Sequence, residues 1–126
     1  MTKTTKTTNT EKTTNQMETL VSKVSTILKK KVGKKNVISN RQIRAELAEM
    51  EIVAEESRVR KAIRTIRESS GKEGITNLIA TSRGYYVARS PIEVSEYIAH
   101  LRSFENNLRR LRSKFEKNLK TIKTNA

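Results

Sequence analysis

Apolar residues recur at helical spacing in three stretches of the first half of the chain. The first stretch follows Asn15, which stands three residues before a glutamate as in a capping box, and ends at Gly33. The second opens at Ser39 with a Ser-x-x-Gln capping box, and the third starts near Glu55 and ends at Ser69–Gly71. The positions predicted to face a common core are Leu20, Val21, Val24, Ile27, Leu28, Ile43, Leu47, Val59, Ala62, Ile63 and Ile66.

The spacing changes after the third helix. Residues 75–82 and 85–88 are rich in strand-forming residues, and the Ser82-Arg83-Gly84 link between them is typical of a hairpin turn. Gly84 is available for a positive φ in that turn. A β-prone pair, Val37–Ile38, stands between the first two helices and can add a small strand. The pattern predicts three helices followed by a β-hairpin.

A long helix is predicted after the hairpin. Ser90 is a cap, Pro91 suits the first helical position, and no later Gly or Pro stops the helix before about Lys123, so it spans about 50 Å. Its apolar residues alternate in steps of three and four, which is the heptad pattern of a coiled coil, interrupted by Asn118. The predicted dimerisation residues are Tyr97, Leu101, Phe104, Leu108, Leu111, Phe115 and Ile122.

A second copy of the chain is the economical partner for this stripe, and we expect a homodimer. The alternative is that only Val94–Phe104 packs on the preceding domain, while the remaining helix frays or binds another protein.

Composition divides the chain into three regions. The chain has 126 residues and 34% hydrophobic residues, enough for one domain with tails. Residues 1–15 contain no apolar residue after Met1, so we expect a disordered Thr/Lys-rich tail. Residues 16–90 form the predicted domain, and residues 91–126 form the predicted coiled-coil helix.

The charge balance favours a polyanionic partner. Lys and Arg total 27 against 13 acidic residues, for a formal net charge of +14. Cysteine is absent, which excludes disulfides and thiolate metal sites. No apolar run approaches the length of a membrane span, and the N-terminus has no hydrophobic signal segment. We therefore expect a cytoplasmic protein without a membrane partner, located on the host nucleoid if a bacteriophage encodes it.

Two segments resemble a known fold family. Residues 52–63, Ile-Val-Ala-Glu-Glu-Ser-Arg-Val-Arg-Lys-Ala-Ile, resemble the recognition-helix segment of winged helix-turn-helix regulators. Arg83-Gly84-Tyr85-Tyr86 resembles the wing of small winged-helix proteins of bacteriophages. The resemblance covers residues 37–101 and implies a winged helix-turn-helix that binds DNA. This chain lacks the usual glycine in the Met50–Val53 turn.

The residues independently favour duplex DNA as the partner. Placing Val59, Ile63 and Ile66 against the core leaves a basic, hydrogen-bonding face on the third helix, which is slim enough for the major groove. The alternative for this face is ordinary solvation. Of two adjacent strand tyrosines, one is expected in the core, and the other can line the DNA side. The predicted DNA-binding residues are Arg41, Ser57, Arg58, Arg60, Lys61, Arg64 and Arg83.

No catalytic constellation stands out. The chain has a single histidine, His100, no aspartate and no Gly-rich phosphate loop, so no enzyme activity, cofactor, metal or small-molecule substrate is predicted. The prediction is sequence-specific binding of duplex DNA by a homodimer, as a transcription regulator or a replication or maintenance factor. The alternatives are an assembly or adaptor protein that uses the long helix, and a non-specific nucleic-acid packing protein or RNA binder.

Overall fold

The fold is mostly helical, with one small hairpin. A computed structural model describes the backbone of residues 5–69 and 71–125 and the side chains of residues 16–69 and 71–122. The elements are α1 (Thr5–Leu28), α2 (Asn40–Glu49), α3 (Glu56–Glu68), β1 (Leu78–Thr81), β2 (Gly84–Val87) and α4 (Pro91–Asn125), with a 3-10 turn at Lys34–Asn36. The prediction of a mainly α chain with a small β-hairpin and a long C-terminal helix is confirmed. The chain divides into two compact units at the boundary between Ser90 and Pro91.

The core of the first unit lies between α1, α2 and α3, which pack on one another. All eleven apolar positions predicted from helical spacing are buried there. Ile38, Ile75 and Leu78 complete the same cluster from the loops and the hairpin. The three helices therefore bury the faces that their spacing predicts.

The first helix differs from its predicted bounds at both ends. It begins at Thr5 rather than after Asn15, so the expectation of a disordered tail is wrong from Thr5 onward, and residues 1–4 lie outside the described residues. The segment contains no Gly or Pro, and each residue added to an existing helix gains a hydrogen bond without a new nucleation step. Asn15 is consequently inside the helix rather than at its cap.

At its other end the same helix stops at Leu28, five residues before Gly33. The backbone leaves the helix there to pair with the last residue of β2. The Gly33 amide donates to the Val87 carbonyl (2.8 Å), and the Val87 amide donates to the Lys31 carbonyl (2.8 Å). Tertiary pairing with the hairpin therefore ends the helix earlier than the local sequence predicts.

The two strands are antiparallel, in a register that runs from Leu78 opposite Val87 to Thr81 opposite Gly84. The predicted strand at Val37–Ile38 is reduced to one residue, because a 3-10 turn precedes the pair and the α2 cap follows it. Ile38 and Tyr85 exchange two backbone hydrogen bonds of 2.9 and 2.8 Å. Tyr86 is buried, which confirms that one of the two strand tyrosines lies in the core, and Tyr85 packs partly buried against that core. That Tyr85 lines the DNA side stays a prediction.

Candidate nucleic-acid interface

The solvent face of α3 is a stripe of polar and basic side chains. The helix starts after Glu55, and its inner face buries Val59, Ala62, Ile63 and Ile66. Ser57, Lys61 and Arg64 lie four and three residues apart on the opposite side, and all three are exposed. This surface, which we call the α3 stripe, ends one turn later at the exposed Glu68.

The turn between α2 and α3 sets the direction in which α3 leaves α2. The amides of Ile52 and Glu51 donate to the carbonyls of Leu47 and Ala48, both at 2.9 Å, which is the Schellman hydrogen-bond pattern. Ile52 packs partly buried against the core, supplying the apolar contact of that motif. Glu51 occupies the left-handed position with φ of 63°, where glycine is usual. The missing glycine therefore does not remove the turn; a glutamate adopts its conformation.

The starts of α2 and α3 are held together by a side-chain hydrogen bond. The Asn40 amide nitrogen donates to the Glu56 carbonyl at 3.2 Å, and the Arg44 Nε donates to Asn40 Oδ1 at 2.9 Å. Ser39 and Gln42 form the predicted capping box, since each side chain accepts a hydrogen bond from the other residue's backbone amide. These contacts bring the first turns of the two helices to one side of the unit.

The hairpin turn lies beside the start of α2. An ideal Cβ placed on Gly84 would stand 2.1 Å from the Ile38 carbonyl oxygen and 2.9 Å from the Ser39 Cα, so only a glycine allows this approach. The Thr81 hydroxyl donates to the Gly84 carbonyl (3.2 Å) and accepts from the Arg83 amide (3.1 Å). The hairpin turn, the start of α2 and the start of α3 are therefore consecutive neighbours, and we call them the convergent edge.

Five of the predicted DNA-binding residues are exposed along the α3 stripe and the convergent edge. Arg41 belongs to the first turn of α2, Arg83 to the hairpin turn, and Ser57, Lys61 and Arg64 to the stripe. The remaining two are placed differently.

Arg58 is half-buried at the flank of α3, outside the stripe. Arg60 forms an ion pair with Glu56 one turn earlier on the same helix. That pair is more than half exposed to solvent and so contributes little to stability, but it occupies the guanidinium in the free protein.

Acidic residues are concentrated at and just after the other end of α2. Glu49 and the following Glu51 are exposed there, and Glu46 pairs with Lys31 at 3.5 Å. Asn40 and Glu49 are nine positions apart in the helix, or about 14 Å along its axis. The convergent edge retains Glu55 and Glu56 as its acidic groups, and Arg60 offsets the second of these.

Sequence reasoning did not identify Asn40 or Arg44 as parts of this site. The capping box at Ser39 predicts the start of α2. No local sequence pattern predicts the hydrogen bond from the Asn40 side chain to the Glu56 carbonyl, which lies sixteen residues later. Such a contact follows only from the packing of α2 against α3.

The structure also bears on two other features, a metal site and a membrane-spanning helix. Among the side chains of residues 16–69 and 71–122 no three potential His, Cys, Asp or Glu ligands cluster as a metal site. In residues 5–69 and 71–125 no helix combines the length and apolar character that a membrane crossing requires. No protein-family model, no curated protein and no solved structure matches the chain.

Proposed function

We propose that this chain binds duplex DNA sequence-specifically as a dimer, using its first unit as a winged helix-turn-helix. In this proposal α3 enters the major groove and the β1–β2 turn contacts the neighbouring backbone or minor groove. The biological role would be that of a transcription regulator or a replication or maintenance factor.

The observation that carries the proposal is the combination of the α3 stripe with the convergent edge. Cations and a hydroxyl occupy one face of a helix about as wide as the major groove, roughly 12 Å. The start of α2 lies beside the start of that helix, and the hairpin turn lies beside the start of α2. The chain also carries a formal charge of +14, which favours a phosphate backbone.

Each exposed residue has a distinct chemical task in the proposed complex. Arg64 can bind O6 and N7 of guanine in a bidentate manner, and Lys61 can donate to the same acceptors. Ser57 can donate to a base edge or to a phosphate. Arg41 and Arg83 supply charge to phosphates, and Arg83 can also enter a narrow minor groove.

Selection of bound sequences from a random duplex pool at near-physiological salt tests the proposal directly. We expect an enriched site with an inverted repeat, because a dimer presents two equivalent modules. Arg64→Ala should lower affinity for the selected site by about tenfold to a hundredfold and relax the preference at one base pair. Arg41→Ala should weaken binding evenly across sequences and reduce the salt slope by about one.

Lys23→Ala is the matched control, because it removes one exposed positive charge from the same unit. Lys23 lies on the exposed side of α1, whose buried face packs against α3. We expect it to leave sequence preference unchanged and to alter affinity less than Arg41→Ala. Equal losses on selected and random DNA from all three variants would reduce the proposal to non-specific packing. Absence of binding to DNA at low salt would exclude the proposal. Preference for single strands or RNA would replace duplex DNA by that nucleic acid as the partner.

A second candidate function, assembly or adaptor activity through α4, is favoured by a separate observation. The apolar side chains of α4 from Leu101 to Ile122 are all exposed, at 44% to 64% of their surface. Exposed apolar surface of this extent marks an interaction site. A chain that self-associates or binds a protein but shows no DNA affinity at low salt would support this function.

A further inference from the structure

The apolar face of α4 has the geometry of a two-stranded coiled-coil seam. Positions a and d of successive heptads carry Tyr97, Leu101, Phe104, Leu108, Leu111, Phe115, Asn118 and Ile122. From Leu101 onward the apolar members are 44–64% exposed. Tyr97 is half-buried and stacks on His100, with ring centroids 6.2 Å apart. The seam is therefore open along most of its length.

The positions that flank the seam are not equivalent, and they discriminate between the two possible pairings. The e positions carry Ile98, Glu105, Arg112 and Leu119, whereas the g positions from His100 onward carry His100, Asn107, Lys114 and Thr121. In an antiparallel pair e faces e of the partner, and in a parallel pair e faces g. The e row by itself contains one acid, one base and two apolar residues.

An antiparallel register makes the e row self-complementary. With Leu108 of one helix opposite Leu111 of the other, the e positions place Glu105 opposite Arg112. The same register places Ile98 opposite Leu119, both of which are exposed in the single chain. Phe104 then meets Phe115 in the next layer of the seam, which suits an aromatic pair. The matches occur twice, because the pairing is two-fold symmetric.

A parallel pairing lacks these matches. It sets Lys114 beside Leu119 and Asn107 beside Arg112, and its charge-compatible contact is Glu105 beside His100. Its advantage is that Asn118 meets its own copy, whereas in the antiparallel register Asn118 faces Leu101 near the end of the coil. Two Asn118–Leu101 layers, one near each solvated end of the coil, oppose two ion pairs and two apolar contacts.

We propose that α4 pairs antiparallel with α4 of a second copy of this chain, centred between Leu108 and Leu111. The pairing depends on α4 alone and is tested without DNA, so its failure is separate from failure of the DNA-binding proposal. It places the two Pro91 ends at opposite ends of the coil, about 55 Å apart from the helical rise per residue. The two first units would then be attached at opposite ends of the dimer.

Charge reversal in mixed dimers tests the register. Glu105→Arg and Arg112→Glu each place like charges opposite each other twice in their own homodimers, so each should weaken self-association by about tenfold or more. In the antiparallel mixed dimer both contacts regain opposite charges. An equimolar mixture should therefore form mainly mixed dimers, with affinity within about threefold of the unaltered protein. Changes within a helix, such as loss of the weak Arg112–Glu116 pair (3.9 Å), stay with the chain that carries the substitution. Each such chain therefore carries the same change in its homodimer and in the mixed dimer.

Distance measurement between spin labels tests the direction independently. The chain has no cysteine, so Ser95→Cys gives a single labelling site on the unaltered background. The antiparallel register separates the two labels by about 45 Å, whereas a parallel coil holds them within roughly 25 Å. Ser113→Cys is the matched control, because its labels lie roughly 20–25 Å apart in either arrangement.

The outcomes separate three cases. Preferred mixed dimers with the long Ser95 distance support the proposal. A short Ser95 distance with no preference for mixed dimers establishes a parallel coil and overturns it. A chain that sediments as a monomer at high protein concentration overturns it as well, and leaves the seam to a different protein.

Discussion

Helices α3 and α4 both carry an apolar stripe, but in the single chain the stripe of α3 is buried and most of the stripe of α4 is exposed. Val59 and Ile66 of α3 are fully buried, whereas Phe104 and Phe115 of α4 are 58% and 64% exposed. The stripe of α3 has α1 and α2 to pack against. Periodicity therefore identifies which face of a helix is apolar but does not identify the partner of that face. For α4 the partner that we propose is a second copy of the chain.

Truncating one residue in each stripe should give very different losses of stability. Ile63→Ala should lower the free energy of unfolding by about 2–5 kcal/mol, because it leaves a cavity in a closed core. At protein concentrations that keep α4 unpaired, Leu108→Ala should change it by less than about 0.5 kcal/mol. Urea unfolding followed by circular dichroism measures both. Equal losses at low concentration would contradict the view that the α4 stripe is open.

Leu108→Ala should also have an effect that Ile63→Ala lacks. We expect it to weaken self-association, seen as a dimer dissociation constant at least about tenfold higher. Sedimentation at several concentrations gives that constant. The two variants therefore separate burial within a chain from burial between chains.

A second change probes a long-range contact that occurs in the first unit. Gly84→Ala should cost about 2–4 kcal/mol, because the new methyl group would collide with backbone atoms of Ile38 and Ser39 and the φ of 139° strains an alanine. Thermal unfolding measures the loss. Ser82→Ala, at an exposed position of the same turn, is the control and should stay within about 0.5 kcal/mol. An unchanged Gly84→Ala protein would mean that the hairpin does not approach α2 so closely.

A third change tests a purely local signal, the cap of α2. Ser39→Ala should lower stability by about 1 kcal/mol, because it removes the hydroxyl that accepts from the Gln42 amide. Ser39→Thr retains a capping hydroxyl and should lose less. Denaturant midpoints at constant slope give both values. A larger loss for threonine than for alanine would show that packing at the convergent edge matters more than capping.

The smallest expected effect is a gain. Glu51→Gly should raise the free energy of unfolding by about 0.5–1 kcal/mol, because glycine adopts the φ of 63° without steric cost. Glu51→Ala removes the same charge but keeps the steric cost, so it should give no gain. The difference between the unfolding free energies of the two variants therefore gives the steric cost of the left-handed backbone at this position. Equal stability of the two variants would indicate that the turn relaxes around any residue.

Particular residues show why some features were predictable and others were not. The capping box at Ser39 and the start of α3 after Glu55 were predicted correctly, because their signals lie within four residues of the feature. The end of α1 was predicted five residues late, because its cause is the pairing of residues 31–33 with Val87. Its start was predicted about ten residues late, because a polar segment without Gly or Pro continues an existing helix.

The candidate interface was predictable in its residues but not in its assembly. Ser57, Lys61 and Arg64 follow from setting the apolar stripe of α3 inward, which requires only the helical repeat. Their connection to the hairpin turn runs through the start of α2, by the Asn40–Glu56 hydrogen bond and the approach of Gly84 to Ile38. Neither contact has a local sequence signal, since each joins residues sixteen or more positions apart.

The helices, their inward faces, the hairpin and the heptad stripe of α4 follow from local sequence patterns. These properties depend on the spacing, capping and backbone preferences of residues close together in the chain. Tertiary packing, in contrast, sets where α1 ends, which backbone borders β2 and which exposed cations share one edge. Those features depend on contacts between segments distant along the chain, whose energies appear only when the core brings the segments together.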